Sequence, residues 1–174
     1  MKWLEDSRAK RFGLFGGVVA TALLGLAVLP QPAAGNGGTH ETPAPVQAAK
    51  GKEVYDRTCA ACHQGDGSGV PGTFPPVAKS EWVTGSPERL VRIILHGVTG
   101  PIDVQGETYK GTMPPWGSLS NAEVAAVSTY IRSNFGNKAP AVTTATVARI
   151  RTASGKRTKP WTVKELMLTT EPAK

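Results

Sequence analysis

The chain has 174 residues, which leaves room for one domain of about 90–130 residues with shorter segments at its ends. Its formal net charge is +7, yet residues 46–136 carry eight Lys or Arg and eight Asp or Glu, while residues 137–174 carry eight basic residues and two acidic ones. The positive charge therefore belongs to the C-terminal part, and the neutral central region lacks the basic composition typical of a nucleic-acid-binding domain.

Residues 1–30 are predicted to be an export segment. Four basic residues precede an uncharged apolar run from Phe12 to Leu29, which Pro30 closes. A basic flank before an apolar run is typical of a segment whose positive end stays in the cytoplasm. Because the run is about 18 residues long, near the lower limit for a spanning helix, we expect a retained transmembrane anchor. The alternative is a cleaved signal peptide, with Ala33-Ala34-Gly35 as its cleavage sequence.

The segment that follows, residues 31–47, is rich in Pro, Gly, Ala and Thr and shows no apolar periodicity. This composition predicts a flexible linker of roughly 15 residues. His40 lies within it, and we interpret this histidine as a solvated side chain without a role in chemistry.

A predicted helix from Ala48 ends at Cys59-Ala60-Ala61-Cys62-His63, which is the C-x-x-C-H attachment motif for a c-type haem. The two thiols can each add to one vinyl group of a porphyrin, and the neighbouring imidazole then points at the iron. A redox dithiol would need a thioredoxin-like βαβ context, and a structural zinc site would need a fourth ligand. The motif therefore predicts one covalent haem c, with a short disulfide or dithiol as the alternative. An exported haem protein is not expected to bind nucleic acid.

The middle of the chain predicts one further helix between loops. A glycine-rich stretch at residues 65–69 and the rigid Phe74-Pro75-Pro76 indicate loop structure. Ser86-Pro87-Glu88 is a strong helix start, and Gly97 can end that helix. Residues 98–112 show no convincing alternation of apolar and polar residues, so we predict them to be irregular up to Met113-Pro114-Pro115.

The last strong helix of the domain is predicted over residues 121–135. Ser120 is its N-cap, and Glu123 completes a capping box. With no strand predicted, the domain of residues 48–136 is expected to be all-α, with three main helices and long loops. So small a core is marginal by itself, and an enclosed porphyrin would supply the missing buried surface.

The order of these elements resembles a monohaem class I cytochrome c: a helix, C-x-x-C-H, Phe-Pro-Pro, a middle helix ending in Leu-His-Gly, Met-Pro-Pro and a final amphipathic helix. The resemblance covers residues 46–136, a little over half of the chain. It implies that the first and last helices cross beside one haem edge, where Gly51 and Tyr55 meet the last helix around Tyr130 and Ile131.

The resemblance also implies the axial ligands of the iron. The motif makes His63 the proximal ligand, and Met113 matches the methionine that supplies the sixth ligand in this family. Met1 and Met167 lie in the initiation position and deep in the basic tail, respectively. The adjacent prolines would stiffen the Met113 loop, which lowers the entropy lost on ligation. The alternative is that Met113 merely fills a gap in the core.

Two other sixth-site arrangements stay open. His96 would give bis-histidine iron with a lower reduction potential, whereas a methionine ligand raises the potential. We interpret His96 instead as a residue that interacts with the C-terminal end of the middle helix. A vacant sixth position would permit gas binding or peroxidase chemistry.

Further site residues follow from the resemblance. In this family a proline carbonyl accepts the second N–H of the proximal histidine, and Pro75 or Pro76 matches that proline. Trp116 and Tyr109 are candidates to pack on the haem or to bond a propionate. Both residues could equally be loop anchors.

Residues 137–174 form a basic extension beyond the family pattern. Residues 144–151 are weakly helical, and Thr162 with Glu165 forms a second capping box. Trp161, just before that cap, indicates an anchor onto the domain or onto a partner. We expect a solvated, partly ordered extension, with docking to a larger redox complex or contact with anionic lipid as alternatives.

Together these features predict a membrane-tethered periplasmic one-electron carrier, not an enzyme. It would pass electrons through its haem edge between membrane or periplasmic redox partners, and the tether would raise its effective concentration there. One alternative is a haem subunit permanently docked in a dehydrogenase or respiratory complex. Another is a haem enzyme or sensor with an open sixth site.

Overall fold

The computed structural model describes residues 44–170. The predicted anchor of residues 1–30 and most of the predicted linker lie outside the described residues. Within the described range the chain forms these helices and strands: α1 Ala44–Thr58, α2 Ala60–His63, α3 Glu81–Thr84, α4 Pro87–His96, β1 Val98–Val104, β2 Glu107–Met113, α5 Asn121–Ser133, α6 Thr144–Ser154 and α7 Val163–Thr170. Each helix in this range is too short or too polar to cross a membrane.

Helix α1 begins at Ala44, earlier than the predicted start at Ala48, and it crosses α5 at close range. Gly51 makes this approach possible, since a Cβ atom there would overlap the Ala126 carbonyl oxygen and the Tyr130 Cβ. One turn later the buried Tyr55 ring packs on the Tyr130 ring, with 5.7 Å between centroids. The helix crossing that the family resemblance implied is therefore confirmed.

Helix α4 forms as its end signals predict. The Ser86 hydroxyl accepts the Arg89 N–H, and the helix stops at Gly97, whose φ is +76°. Its apolar residues enter the core beside α5, and they are almost fully buried: Leu90, Val91, Ile93, Ile94 and Leu95. At α5 the predicted capping box is present, with the Ser120 hydroxyl accepting the Glu123 N–H and the Glu123 carboxylate accepting the Ser120 N–H.

The prediction of an all-α domain is wrong for residues 98–113. Strands β1 and β2 pair antiparallel, from Val98 opposite Met113 to Val104 opposite Glu107. The residues joining them, Gln105 and Gly106, both have positive φ, +52° and +82°, as a two-residue hairpin turn of type I′ requires. Glycine and proline inside the strands interrupt the alternating pattern that would have predicted them.

The extension does not fit the expectation of a solvated, partly ordered segment. In α6, Val147 and Ile150 are fully buried, and in α7 Leu166 is fully buried. Helix α6 packs on α4 and α5, while α7 packs on α4 and β1. Trp161, 8% exposed, anchors the segment before α7 onto the domain itself. The extension therefore belongs to the same packed unit as the central domain.

Candidate haem-binding site

One cavity lies between the loop after α2, helices α4 and α5 and the hairpin. Its lining is mainly aliphatic and aromatic, and none of the described residues that line it carries a charged side chain. The eight predicted site residues all contribute to this lining: Cys59, Cys62, His63, Pro75, Pro76, Tyr109, Met113 and Trp116. The fold thus brings together residues from distant parts of the sequence around a single apolar space.

Helix α1 positions the two thiols. The Cys59 N–H donates to the Tyr55 carbonyl at 2.8 Å, which extends α1 directly into the short helix α2 that carries Cys62. Both cysteines are free thiols that line the cavity. Burial raises the pKa of the Cys59 thiol, an effect that its contact with the Thr58 hydroxyl partly opposes. Two thiols within one helical turn, facing one cavity, suit the attachment of a single porphyrin at two points.

The His63 ring is held by a backbone carbonyl. Its Nδ1 lies 2.8 Å from the Pro75 oxygen. Because a carbonyl can only accept, Nδ1 carries the proton, and the lone pair of Nε2 is available to a metal. Burial lowers the pKa of His63 against the opposing effect of the Pro75 hydrogen bond, which favours the neutral imidazole, the form in which histidine binds metals. Of the two prolines that match the family, Pro75 therefore makes this contact, while Pro76 only lines the cavity.

Met113 is the last residue of β2, directly opposite Val98 at the start of β1. Its side chain is partly buried against a small apolar cluster that includes Ile93 and Val98. The backbone at Gly97 and the backbone at Met113 approach closely because Gly97 has no side chain. A Cβ atom at this glycine would overlap the Met113 carbonyl oxygen. The Met113 side chain thus lies at a wall of the cavity that the hairpin and α4 hold in place.

Tyr109 and Trp116 complete that wall. Tyr109 is 4% exposed, and its hydroxyl donates to Glu107 at 2.9 Å. Glu107 also accepts the Gly72 N–H, so this hydroxyl belongs to a contact between the hairpin and the loop after α2. The backbone N–H of Trp116 donates to the Ile94 carbonyl at 2.9 Å, and the Trp116 ring packs on the main core.

The rival histidine lies elsewhere. His96 is not among the residues that line the cavity, and its ring makes an edge contact with Trp161, with 6.3 Å between centroids. Its pKa is lowered by burial. A hydrogen bond with the Arg157 backbone opposes this shift, while the Arg157 and Arg151 charges reinforce it. Protonated His96 would add a third cation to this cluster, so the neutral ring is favoured.

Other residues of the cavity wall were not predicted as site residues. They come from the buried faces of α3, α4 and α5 and from the hairpin: Val83, Leu90, Ile93, Ile94, Ile102, Val104, Val127 and Ile131. The apolar face of α4 is visible in the sequence and could have identified its members. The hairpin members could have been found only by recognising Gln105-Gly106 as a turn.

These features fit haem c as a group. The cavity offers two free thiols, a neutral imidazole with an available nitrogen, a thioether and apolar walls. A thioether and an imidazole are the two axial donors of cytochrome c iron, and thiols form its covalent attachment. An uncharged, largely buried lining suits a large apolar macrocycle.

Comparison with known proteins supports the same conclusion, that the site binds haem c. Residues 48–135, just over half of the chain, match the family model for Cytochrome c. The chain belongs to the cytochrome c family. It is 39% identical over 93 residues to cytochrome c-552 of Thermus thermophilus, a match covering 51% of this chain and 70% of that protein. It therefore carries covalently bound haem c and transfers electrons.

Two longer proteins are similar over the same region. The cytochrome is 40% identical over 104 residues to the cytochrome c subunit of a quinone-dependent alcohol dehydrogenase from Gluconacetobacter polyoxogenes, covering 58% of this chain and 22% of that subunit. It is 36% identical over 92 residues to the Cbb3-type cytochrome c oxidase subunit FixP of a Bradyrhizobium species, covering 51% and 30%. The match therefore spans less than a third of each of these two subunits.

Proposed function

We propose that this cytochrome is a membrane-tethered, periplasmic one-electron carrier whose iron is ligated by His63 and Met113. The observation that carries the ligand assignment is the placement of the candidates. His63 and Met113 line one cavity, whereas His96 lies against Trp161 and Met167 is 49% exposed on α7. Cys59 and Cys62, which line the same cavity, would form the two thioether bonds.

Each ligand has its own backbone support. The Pro75 carbonyl fixes the orientation of the His63 ring, and strand pairing with Val98 fixes the position of Met113. Haem, when bound, supplies the one-electron Fe(II)/Fe(III) couple. Because both side chains are held independently of each other, little movement of the chain is needed between oxidation states. A site of this kind favours electron transfer over substrate chemistry.

The ligand assignment is tested by replacing methionines one at a time. Met113→Ala should abolish the far-red absorption band of Met–Fe(III) ligation and lower the reduction potential, since a methionine ligand raises it. Met167→Ala removes an exposed methionine and is the matched control, so it should leave the band unchanged. A band that survives Met113→Ala would contradict the assignment. A wild-type protein without the band would favour the alternative of an open sixth site.

The tether is inferred from the sequence alone. A basic flank followed by about 18 apolar residues supports an anchor with the haem domain on the outer face. The full chain should then remain in the membrane fraction after a high-salt wash and require detergent for release. A chain that starts at Gln31 behind a cleavable export signal should be soluble in the periplasm. Release of the full chain without detergent would contradict the tether.

A second function is favoured by one of the relatives. Because the chain resembles the cytochrome c subunit of a quinone-dependent dehydrogenase, a permanent place in a dehydrogenase complex is the alternative. Helix α7 also presents Leu168 at 71% exposure, which a permanent partner could cover. Purification of the detergent-solubilised protein separates the two. A stoichiometric dehydrogenase would support the docked subunit, and the isolated cytochrome would support the carrier.

A further inference from the structure

We propose that the C-terminal extension positions the methionine ligand, with Arg151 and Trp161 as its two positioning residues. The inference rests on the proposed function, because it concerns Met113 as a ligand. It assigns a role to residues that lie beyond the part of the chain matched by the family, which ends at residue 135. Arg151 contacts the segment that follows Met113 in the sequence, and Trp161 contacts strand β1, which precedes it.

Arg151, in α6, binds the segment that follows Met113. Its guanidinium donates to the Asn121 Oδ1 at 2.8 Å, to the Gly117 carbonyl at 2.8 Å and to the Leu119 carbonyl at 2.7 Å. All three acceptors lie within five residues of one another, between the Met-Pro-Pro-Trp sequence and the start of α5. A planar guanidinium with several fixed donors can hold such a loop in one conformation, and a lysine cannot reproduce that geometry.

Trp161 acts on the strand that pairs with Met113. Its backbone N–H donates to the Gly97 carbonyl at 3.0 Å, and its backbone carbonyl accepts the Thr99 N–H at 2.8 Å. These bonds form a parallel bridge on one edge of Val98, while Met113 pairs with Val98 on the other edge. Trp161, Val98 and Met113 therefore form one row across the sheet.

Side-chain packing strengthens this row. The Trp161 ring is 8% exposed and clusters with Ile93, Val98 and Leu166, against which the Met113 side chain packs. The Arg157 guanidinium carbon lies over the ring, 3.7 Å from its centroid. Arg157 is itself held by the Glu165 carboxylate at 2.9 Å. The indole is thus fixed from several directions, and it limits the freedom of the strand that carries Met113.

The extension accordingly restrains the methionine from both sides, through β1 before it and through the loop after it. An axial thioether is a weak, neutral ligand, so its occupancy depends on how far the loop can move away from the iron. Replacing a residue that supports a metal ligand typically costs about 10–100-fold in metal affinity or activity. Loss of either restraint should therefore favour states in which Met113 is displaced.

The experiment compares two arginines of the same helix in the full-length holoprotein. Arg151→Met removes the three bonds to the loop, while Arg149→Met removes only an exposed contact with Glu88 on α4. Imidazole binding to the ferric protein, which displaces the methionine, is measured by loss of the far-red band. We expect about ten-fold tighter imidazole binding in Arg151→Met, equal to ~1.4 kcal/mol, and little change in Arg149→Met. A purely structural role would lower the denaturation midpoint without changing imidazole affinity.

Conservative variants keep the test decisive if Arg151→Met does not yield holoprotein. Arg151→Lys and Trp161→Phe should both bind imidazole more tightly than wild type, with smaller changes. Equal imidazole affinity in the Arg151 and Arg149 variants would overturn the inference, as would wild-type affinity in both conservative variants. Failure of the proposed function has a different signature, since the far-red band would then survive Met113→Ala.

Discussion

The two sides of the haem cavity are built in different ways. On the His63 side, the imidazole, both thiols and the Pro75 carbonyl come from a segment of fewer than twenty residues, and the supporting bonds are local. On the Met113 side, the support comes from α4, from β1 and from the distant Arg151 and Trp161. The position of His63 is therefore specified by a short motif, and that of Met113 by long-range tertiary contacts.

This difference has a consequence for dynamics. Local opening of a protein begins where few buried contacts must be broken together. The His63 side is fastened by the helix that continues from α1 and, once haem is attached, by two covalent bonds. The Met113 side depends on strand pairing and on the extension, whose helix α7 has only one fully buried side chain, Leu166, among its described positions. We therefore expect the Met113 side to open first, and substitutions can test that order.

The largest effect is expected at Gly97, which immediately precedes β1 and lies against Met113, the last residue of β2. Gly97→Ala places a Cβ at a φ of +76° and against the Met113 carbonyl. With ψ at 173°, this backbone conformation is one that essentially only glycine adopts. It alone costs an alanine about 1–3 kcal/mol, and the overlap adds to that. The free energy of unfolding should fall by about 2–4 kcal/mol, with loss of the far-red band. Denaturant unfolding monitored by circular dichroism measures the stability, and the absorption spectrum of the ferric protein shows whether the band is present.

Gly100 offers a matched control for this substitution. Its φ is +86°, yet a Cβ there would meet nothing within 4 Å. Gly100→Ala should therefore lower stability by the backbone cost alone, about 1–2 kcal/mol, and keep the methionine ligated. The difference between the two variants reports the overlap of a Gly97 Cβ with the Met113 carbonyl and the adjoining Pro114-Pro115 backbone. Equal losses, with the band retained in both, would contradict the role of Gly97 in positioning the ligand strand.

The same contrast explains what the sequence predicts well. Cys59, Cys62 and His63 are adjacent in the chain, so their common orientation follows from one helical turn and a motif. The caps at Ser86 and Ser120 are equally local and form as predicted. The sequence does not distinguish Pro75 from Pro76, because the direction of each carbonyl is fixed only when the loop folds.

Long-range features were predicted poorly for physical reasons. The hairpin carries Gly100 and Gly111 in its strands, and these residues lack side chains to show alternation. In the extension, the buried residues Val147, Ile150 and Leu166 are sparse among basic and polar neighbours. The acceptors of Arg151 are mostly backbone carbonyls, which every residue has, so no sequence pattern could identify its partners.

A smaller effect is expected from Tyr55, which supports the His63 side. Its ring is fully buried, and its hydroxyl donates to the Gln64 carbonyl at 2.7 Å. Burial raises the pKa of Tyr55 well above its usual range, so the hydroxyl remains protonated at all ordinary pH values. Tyr55→Phe should lower the free energy of unfolding by about 1 kcal/mol because the carbonyl loses its donor.

Tyr109→Phe is the counterpart on the Met113 side, since it removes the bond to Glu107 in the hairpin. Both variants should lose similar global stability. Hydrogen exchange of the ferrous protein should then distinguish them, with faster exchange near His63 for Tyr55→Phe and faster exchange in β2 for Tyr109→Phe. Faster exchange in β2 for both variants would show that the two sides open together, and it would contradict the expectation that the Met113 side opens first.

The smallest effect concerns acid, and it uses two capping boxes that are alike in chemistry but differ in place. Glu123 caps α5 and contacts Arg57, while Glu165 caps α7 and contacts Arg157. The Ser120 N–H lowers the pKa of Glu123 to about 2, and the Thr162 N–H lowers that of Glu165 to about 2, with the arginines assisting in each case. Both carboxylates are partly exposed, so each contribution is modest.

The sign of the pH dependence follows from these values. A glutamate in an unfolded chain has a pKa of about 4.3, so the stabilisation is complete above that pH and is lost as the pH falls towards 2. The buried crossing with α1 retains α5 after its cap is protonated, whereas α7 has only one fully buried side chain, Leu166, among its described positions. Acidification from about pH 5 to pH 2 should therefore release α7 first.

In NMR spectra of the ferrous protein, the α7 amides should shift before those of α5. Glu165→Gln should remove that early shift, while Glu123→Gln should retain it. Simultaneous shifts in both helices would mean that the extension and the domain unfold as one unit, and the Met113 side would then be no easier to open than the His63 side.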